Sequence, residues 1–258
     1  MFSSQLHSRF PQSKFCLLSA SLATLVLLLM NGCGMTTPQG TPSSFAFVTS
    51  SGSGTVTAFS VSSTGILSPV AGGSFTAGAG AEFLAFDSVH KLLFVSNSND
   101  GTVSAFSVNT STGMLTAVPG SPFAAGARPE GIAVDPMGRF VFVANQAADS
   151  ISAFLIGANG ALSPVAGSPF TSSNPFGLAV NPAGTVLFAS NFPDSQTTDL
   201  NTVSSFQIGA NGALSPVAGS PFSTASMAGF AASIGLAMDT TGKLLVRRRS
   251  HVPGDCSV

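Results

Sequence analysis

The chain has 258 residues, 44% of them hydrophobic, enough to bury a sizeable core and to exclude a chain disordered throughout. Nine Lys and Arg against ten Asp and Glu leave a formal net charge of −1, with no basic stripe to follow a phosphate backbone, so nucleic-acid binding is set aside. Charged residues make up 7%, where about a quarter is usual, while Gly numbers 28, Pro 16 and Phe 22 with no Trp or Tyr; this is the composition of many short strands joined by tight turns.

Residues 1–14 carry Arg9 and Lys14 and no acid. Phe15 to Met30 is an apolar run broken only by Ser19, Ser21 and Thr24, and Asn31-Gly32-Cys33-Gly34 follows. The run is shorter than the roughly 20 residues a membrane-spanning helix needs, so residues 1–33 read as a secretory signal. Its end resembles the lipobox of bacterial lipoproteins, in which the Cys is lipidated and becomes the mature N-terminus. Gly32 and Cys33 match that pattern, whereas Met30 and Asn31 are less usual there. The resemblance implies export and a lipid anchor at Cys33, holding the domain at the outer membrane, in the periplasm or at the cell surface. An ordinary signal peptide and an uncleaved anchor helix are the alternatives. With Cys16 in the signal and Cys33 capped, Cys256 stands alone, and no disulfide or Cys-based metal site is expected. Residues 34–44, rich in Gly, Thr, Pro and Ser, read as a flexible tether.

From residue 45 the chain repeats. Phe59, Phe106, Phe154 and Phe206 are spaced 47, 48 and 52 apart; Phe75, Phe123, Phe170 and Phe222 are spaced 48, 47 and 52; Phe47, Phe94, Phe142 and Phe188 are spaced 47, 48 and 46. Three markers keeping one period exclude coincidence. The third unit shows four short runs: 130–135 before the turn Asp135-Pro136-Met137-Gly138, 140–145, 150–156 before the turn Gly157-Ala158-Asn159-Gly160, and 161–165 before Gly-Ser-Pro-Phe170. A four-stranded antiparallel unit of this length is a β-propeller blade, so the fold class is all-β, with about four to five blades present over 45–246.

The units Leu93-Phe94-Val95-Ser96-Asn97 with Thr102-Val103-Ser104-Ala105-Phe106, and Val141-Phe142-Val143-Ala144-Asn145 with Ser150-Ile151-Ser152-Ala153-Phe154, resemble Tyr-Val-Thr-Asn propeller repeats. More broadly they are similar to the lactonase-type seven-bladed propellers that include bacterial 6-phosphogluconolactonases. Phe takes the place of the signature Tyr, keeping the ring and dropping the hydroxyl. Seven blades would need roughly 330 residues on the usual blade size. Only 215 remain from residue 44, so the propeller is expected to be incomplete. The innermost strand of the first blade is expected to be missing. Arg247-Arg248-Arg249 interrupts the pattern after Val246, and residues 247–258 are expected to be an aberrant, disordered tail.

Ligands of propellers enter at the channel mouth, formed by the loops before each innermost strand and the loops joining second to third strands. There, Arg128 and Glu130 form the sharpest pair, an anion clamp beside a carboxyl base. Asn97, Asn145 and Asn191, with Asp194 and Asp199 in the one inserted loop, are the candidate binding residues. Asn97 to Gly101 resembles a calcium loop but lacks the distal Glu and reads as a hairpin turn. Lactonases of the resembled family carry Arg-His before an innermost strand and Glu after Val-Asn; here Pro129 follows Arg128 and Gln146 follows Asn145. His90, the remaining His of the repeats, lies in a turn expected on the opposite face. No metal or cofactor is expected.

The expected function is an exported, lipid-anchored propeller that binds an unidentified small molecule or envelope protein at its mouth without catalysis. The alternative is a sugar-lactone hydrolase of the 6-phosphogluconolactonase type. Cys33→Ser is expected to release the protein into the soluble fraction or stall its processing, with labelled palmitate marking the wild type alone. Unchanged fractionation without label would leave an unlipidated signal peptide.

Overall fold

The computed structural model describes residues 30–31, 44–192, 202–223 and 231–250, and within them the chain is a succession of antiparallel β-sheets. Blade 1 is β1 (Met30–Asn31), β2 (Ser44–Ser50), β3 (Thr55–Val61) and β4 (Leu67–Thr76). Blade 2 is β5 (Ala81–Asp87), β6 (Leu92–Asn97), β7 (Thr102–Val108) and β8 (Leu115–Ala117), with β9 (Phe123–Ala124) also on β7. Blade 3 repeats this as β10 (Pro129–Val134), β11 (Phe140–Asn145), β12 (Ser150–Ile156), β13 (Leu162–Pro164) and β14 (Phe170–Thr171). Blade 4 is β15 (Pro175–Val180), β16 (Val186–Asn191), β17 (Thr202–Ile208), β18 (Leu214–Pro216) and β19 (Phe222–Ser223). The hairpin of β20 (Ala231–Met238) and β21 (Leu244–Ser250) begins a fifth.

The strands fall where the repeat predicts them. In blades 2 to 4 the outermost strand is split, as in β13 and β14, which both pair with β12, whereas in blade 1 it is the continuous β4; the split blades carry Pro122, Pro169 and Pro221, which cannot donate to the ladder, where blade 1 has Ser74. The second strands read as continuous apolar runs because both their faces are covered; every residue of Phe140–Asn145 is buried. At the turn before β11, Asp135 Oδ1 accepts from the Arg139 and Phe140 amides, and Asp135 Oδ2 accepts from Arg139 Nε at 2.9 Å.

The cores lie between blades. Phe45, Phe47 and Val56 of blade 1 pack with Leu93, Val95 and Phe106 of blade 2. Phe94 and Val103 of blade 2 pack with Val141, Val143 and Phe154 of blade 3, and Phe142 and Ile151 of blade 3 with Leu187 and Phe206 of blade 4. One glycine in the outer hairpin of each of blades 2 to 4, Gly113, Gly160 and Gly212, permits the approach. A Cβ on Gly212, which has φ +83°, would lie 2.6 Å from the Phe140 ring of the preceding blade. The innermost strands β5, β10, β15 and β20 stand side by side in that order, with β2 next to β5.

Two expectations change at the ends. The innermost position of blade 1 is not empty: Met30 and Asn31, read above as the end of the signal, pair with Phe45 and Ser44. The break expected at Arg247 is not observed either, since β21 continues to Ser250 and Arg247, Arg248 and Arg249 pair with Gly235, Ser233 and Ala232. The hairpin is set by its turn, where the Asp239 carboxylate accepts from the Thr241 and Lys243 amides. Among the described residues β21 pairs with β20 alone. Cys33, most of the leader and tether, Asp194, Asp199 and residues 251–258 lie outside the described residues.

Candidate functional site

The mouth is built from one backbone device used three times. Gly80, Arg128 and Asn174, the residues before β5, β10 and β15, have φ of +74°, +53° and +40°. Their carbonyls accept the amides of Ser98, Gln146 and Phe192 at 2.9, 2.9 and 2.8 Å. Each bond ties the loop before an innermost strand to the end of the second strand. In the left-handed region a non-glycine residue costs of order 1–3 kcal/mol, so Arg128 is held there by its surroundings.

One position earlier than each of those amides sits the buried Asn of the repeat. Asn97 Nδ2 donates to Thr102 Oγ1 and Ser104 Oγ at 3.0 and 2.9 Å, Asn145 Nδ2 to Ser150 Oγ and Ser152 Oγ at 3.3 and 2.9 Å, and Asn191 Nδ2 to Thr202 Oγ1 and Ser204 Oγ at 2.8 and 2.9 Å. The structure therefore uses these three amide groups inside their own blades, joining second strand to third. The calcium-like segment is a turn, with Gly101 at φ +68° and Asp100 Oδ2 accepting the Ala79 amide at 2.6 Å.

Arg128 and Glu130 do meet. Arg128 Nε donates to Glu130 Oε1 at 2.8 Å, with the Arg side chain 61% exposed and the Glu side chain 1% exposed. Glu130 Oε2 has no donor among the described residues. The third member of the site comes from the neighbouring blade: Glu82, second residue of β5, is the carboxyl whose charge acts on Glu130. Burial pushes the Glu130 carboxyl up from 4.5 to about 7, helped by the neighbouring Glu82 carboxyl and opposed by Arg128. Glu82 is half-buried, so it is the outer carboxyl and Glu130 the inner one. Sequence reasoning took Glu130 alone. The available signal was the period, because Glu82 and Glu130 hold the same place in consecutive units, 48 residues apart. His90 is at the far end of blade 2, its Nδ1 2.6 Å from Asp87 Oδ2, and takes no part.

Residues 36–228 match the family model described as lactonase, 7-bladed beta-propeller. The chain belongs to this lactonase propeller family. Among solved structures it is similar to a putative 6-phosphogluconolactonase from Bacteroides fragilis, at 22% identity and TM-score 0.59 over 76% of this chain and 56% of that one. A second putative 6-phosphogluconolactonase, from Bacteroides uniformis, matches at 19% identity and TM-score 0.62 over 78% and 60%. The periplasmic gluconolactonase of Pseudomonas aeruginosa matches at 16% identity and TM-score 0.64 over 80% and 62%. At these identities the likeness is one of fold, and the chain spans less than two thirds of each of these structures. No curated protein sequence matches it.

In this lactonase-family propeller the carboxyl pair carries a signature in stability. Unfolded, Glu130 loses its proton near 4.5; folded, near 7, so the native state holds that proton more tightly. The group's favourable contribution is complete below pH 4.5, is lost as pH rises to 7, and does not return above it. Glu130→Gln is therefore expected to gain stability over the wild type between pH 5 and pH 8, by up to roughly 3 kcal/mol on the scale of one pKa unit per 1.36 kcal/mol. Denaturant titrations at the two pH values measure this, and a variant equally destabilised at both would refute it.

Proposed function

We propose that the mouth formed by Glu82, Arg128 and Glu130 hydrolyses a lactone. The observation that carries this reading is a carboxyl pair, one member buried and one at the rim, with the inner proton held to about pH 7. A near-neutral carboxyl pair suits general acid–base chemistry, as both charge states are populated where the reaction runs. Water attacks the lactone carbonyl carbon while Glu82 accepts its proton. The tetrahedral intermediate then breaks the ring carbon–oxygen bond, and the carboxyl pair delivers a proton to the leaving ring oxygen, giving a hydroxy acid. Arg128, mostly exposed and with N–H groups beyond the Nε bonded to Glu130, is placed to donate to the developing oxyanion. The family membership and the printed names of the structural neighbours support lactone chemistry.

A second reading is a binding or scaffold module that takes a small molecule or an envelope protein at the same mouth. Specific residues favour it: Pro129 stands after Arg128 and Gln146 after Asn145, where the resembled lactonases have His and Glu. Under either reading we propose the location given by the leader, outside the cytoplasm and anchored through Cys33; cleavage before Cys33 removes Met30 and Asn31, so the β1 pairing belongs to the precursor.

Glu82→Gln and Glu130→Gln are each expected to lower kcat on δ-lactones by about 10²–10⁴, the range of one general acid or base. Wild-type protein that turns over no δ-lactone, assayed by acid release at pH 7, would leave the binding module.

A further inference from the structure

Beside the carboxyl pair the mouth is aromatic. Phe83, next after Glu82 on β5, meets Phe176 of β15 edge to face, with ring centroids 5.5 Å apart and an interplanar angle of 87°. Phe176 in turn lies 5.7 Å from Phe192, whose amide is bonded to the Asn174 carbonyl at the rim. All three rings are half-buried. Strands β5 and β15 belong to blades 2 and 4, with β10 between them. Gly131 occupies in β10 the place that Phe83 has in β5, and a Cβ there would lie 2.2 Å from the Phe176 carbonyl oxygen. Any other residue would push β15 away; glycine lets the strands close and the rings meet across blade 3.

These rings present carbon and no donor or acceptor, unlike the Tyr or Trp faces that commonly carry sugars. Charge points the same way. Among the described side chains at this mouth Arg128 is the cation, and its Nε is already given to Glu130. A phosphate dianion brought here would face Glu82 and Glu130 with that single cation in part engaged.

Resting on the hydrolase reading, we propose that Phe83, Phe176 and Phe192 form the platform for the substrate ring. The site then selects an uncharged lactone with an apolar face, aryl-fused or alkyl-substituted, over a phosphorylated sugar lactone. The rings stand at the same end of the innermost strands as Glu82 and Glu130, so a substrate ring resting on them is held at the mouth that carries the carboxyls.

The test uses the full chain, with dihydrocoumarin and 6-phosphoglucono-δ-lactone as substrates and chroman, the ether analogue without a carbonyl, as a binding probe by calorimetry. The wild type is expected to favour dihydrocoumarin in kcat/KM by at least tenfold. Phe176→Leu, which keeps apolar volume and removes the ring, is expected to lower that ratio at least tenfold and to weaken chroman binding in step. Phe192→Leu, at the rim, serves the same purpose if Phe176→Leu does not fold. Preference for the phosphorylated lactone, or chroman binding indifferent to both substitutions, would overturn the platform. If neither lactone is hydrolysed while chroman still binds through Phe176, the hydrolase reading falls and the platform stands.

Discussion

A four-stranded blade has two apolar faces and cannot bury either by itself. Each core here is shared: Phe47 needs Leu93 and Val95 of the next blade, Phe94 needs Val141 and Val143, and Phe142 needs Leu187. Because this face-to-face packing repeats, the innermost strands stand in a row, and whatever the sequence places at their first residues is gathered at one end. The stacked geometry thus comes first and the site follows from it, as in other repeat architectures whose units hold one another.

The mouth departs from the economy of the rest of the blade. Asp135, buried in the turn before β11, has both oxygens answered by Arg139 and Phe140, whereas Asn97, Asn145 and Asn191 at the mouth give their Nδ2 to the third strand and keep an Oδ1 without a donor among the described residues. At Glu130 a carboxyl is 1% exposed, one oxygen has no donor among the described residues, and the partner Arg128 sits at φ +53°. Such a group disfavours its own charge, which is why its proton persists to near neutrality. Stability is sacrificed at this position while the surrounding cores, built from Phe and β-branched residues, remain dry and closely packed.

The period of the Phe markers made the blades legible from residue 45 onward, since strand length, turn residues and apolar runs all agree with one another. Arg128 with Glu130 was legible because the two are neighbours in the chain. Glu82 was harder: its relation to Glu130 exists only once β5 and β10 are adjacent, a contact between blades that local pattern does not express. The Asn of each repeat reads as a mouth residue by position, yet its side chain turns into the blade because the Ser and Thr of the adjacent third strand supply acceptors. The aromatic row depends on Gly131, and a glycine in a strand does not announce which neighbour comes close. At β21 the three arginines misled in the other direction, because backbone pairing in a hairpin depends on its turn more than on the charges it carries.

The site turns on the proton of the buried Glu130 carboxyl. Carbon-13 labelling of the glutamate carboxyls, followed by NMR across pH 3 to 9, measures it directly. A Glu130 midpoint near 7 in the wild type, moving toward 4.5 in Glu82→Gln as the neighbouring charge is removed, is the predicted result. A midpoint at the ordinary carboxylate value in both proteins would contradict the paired, buried carboxyl on which the site is built.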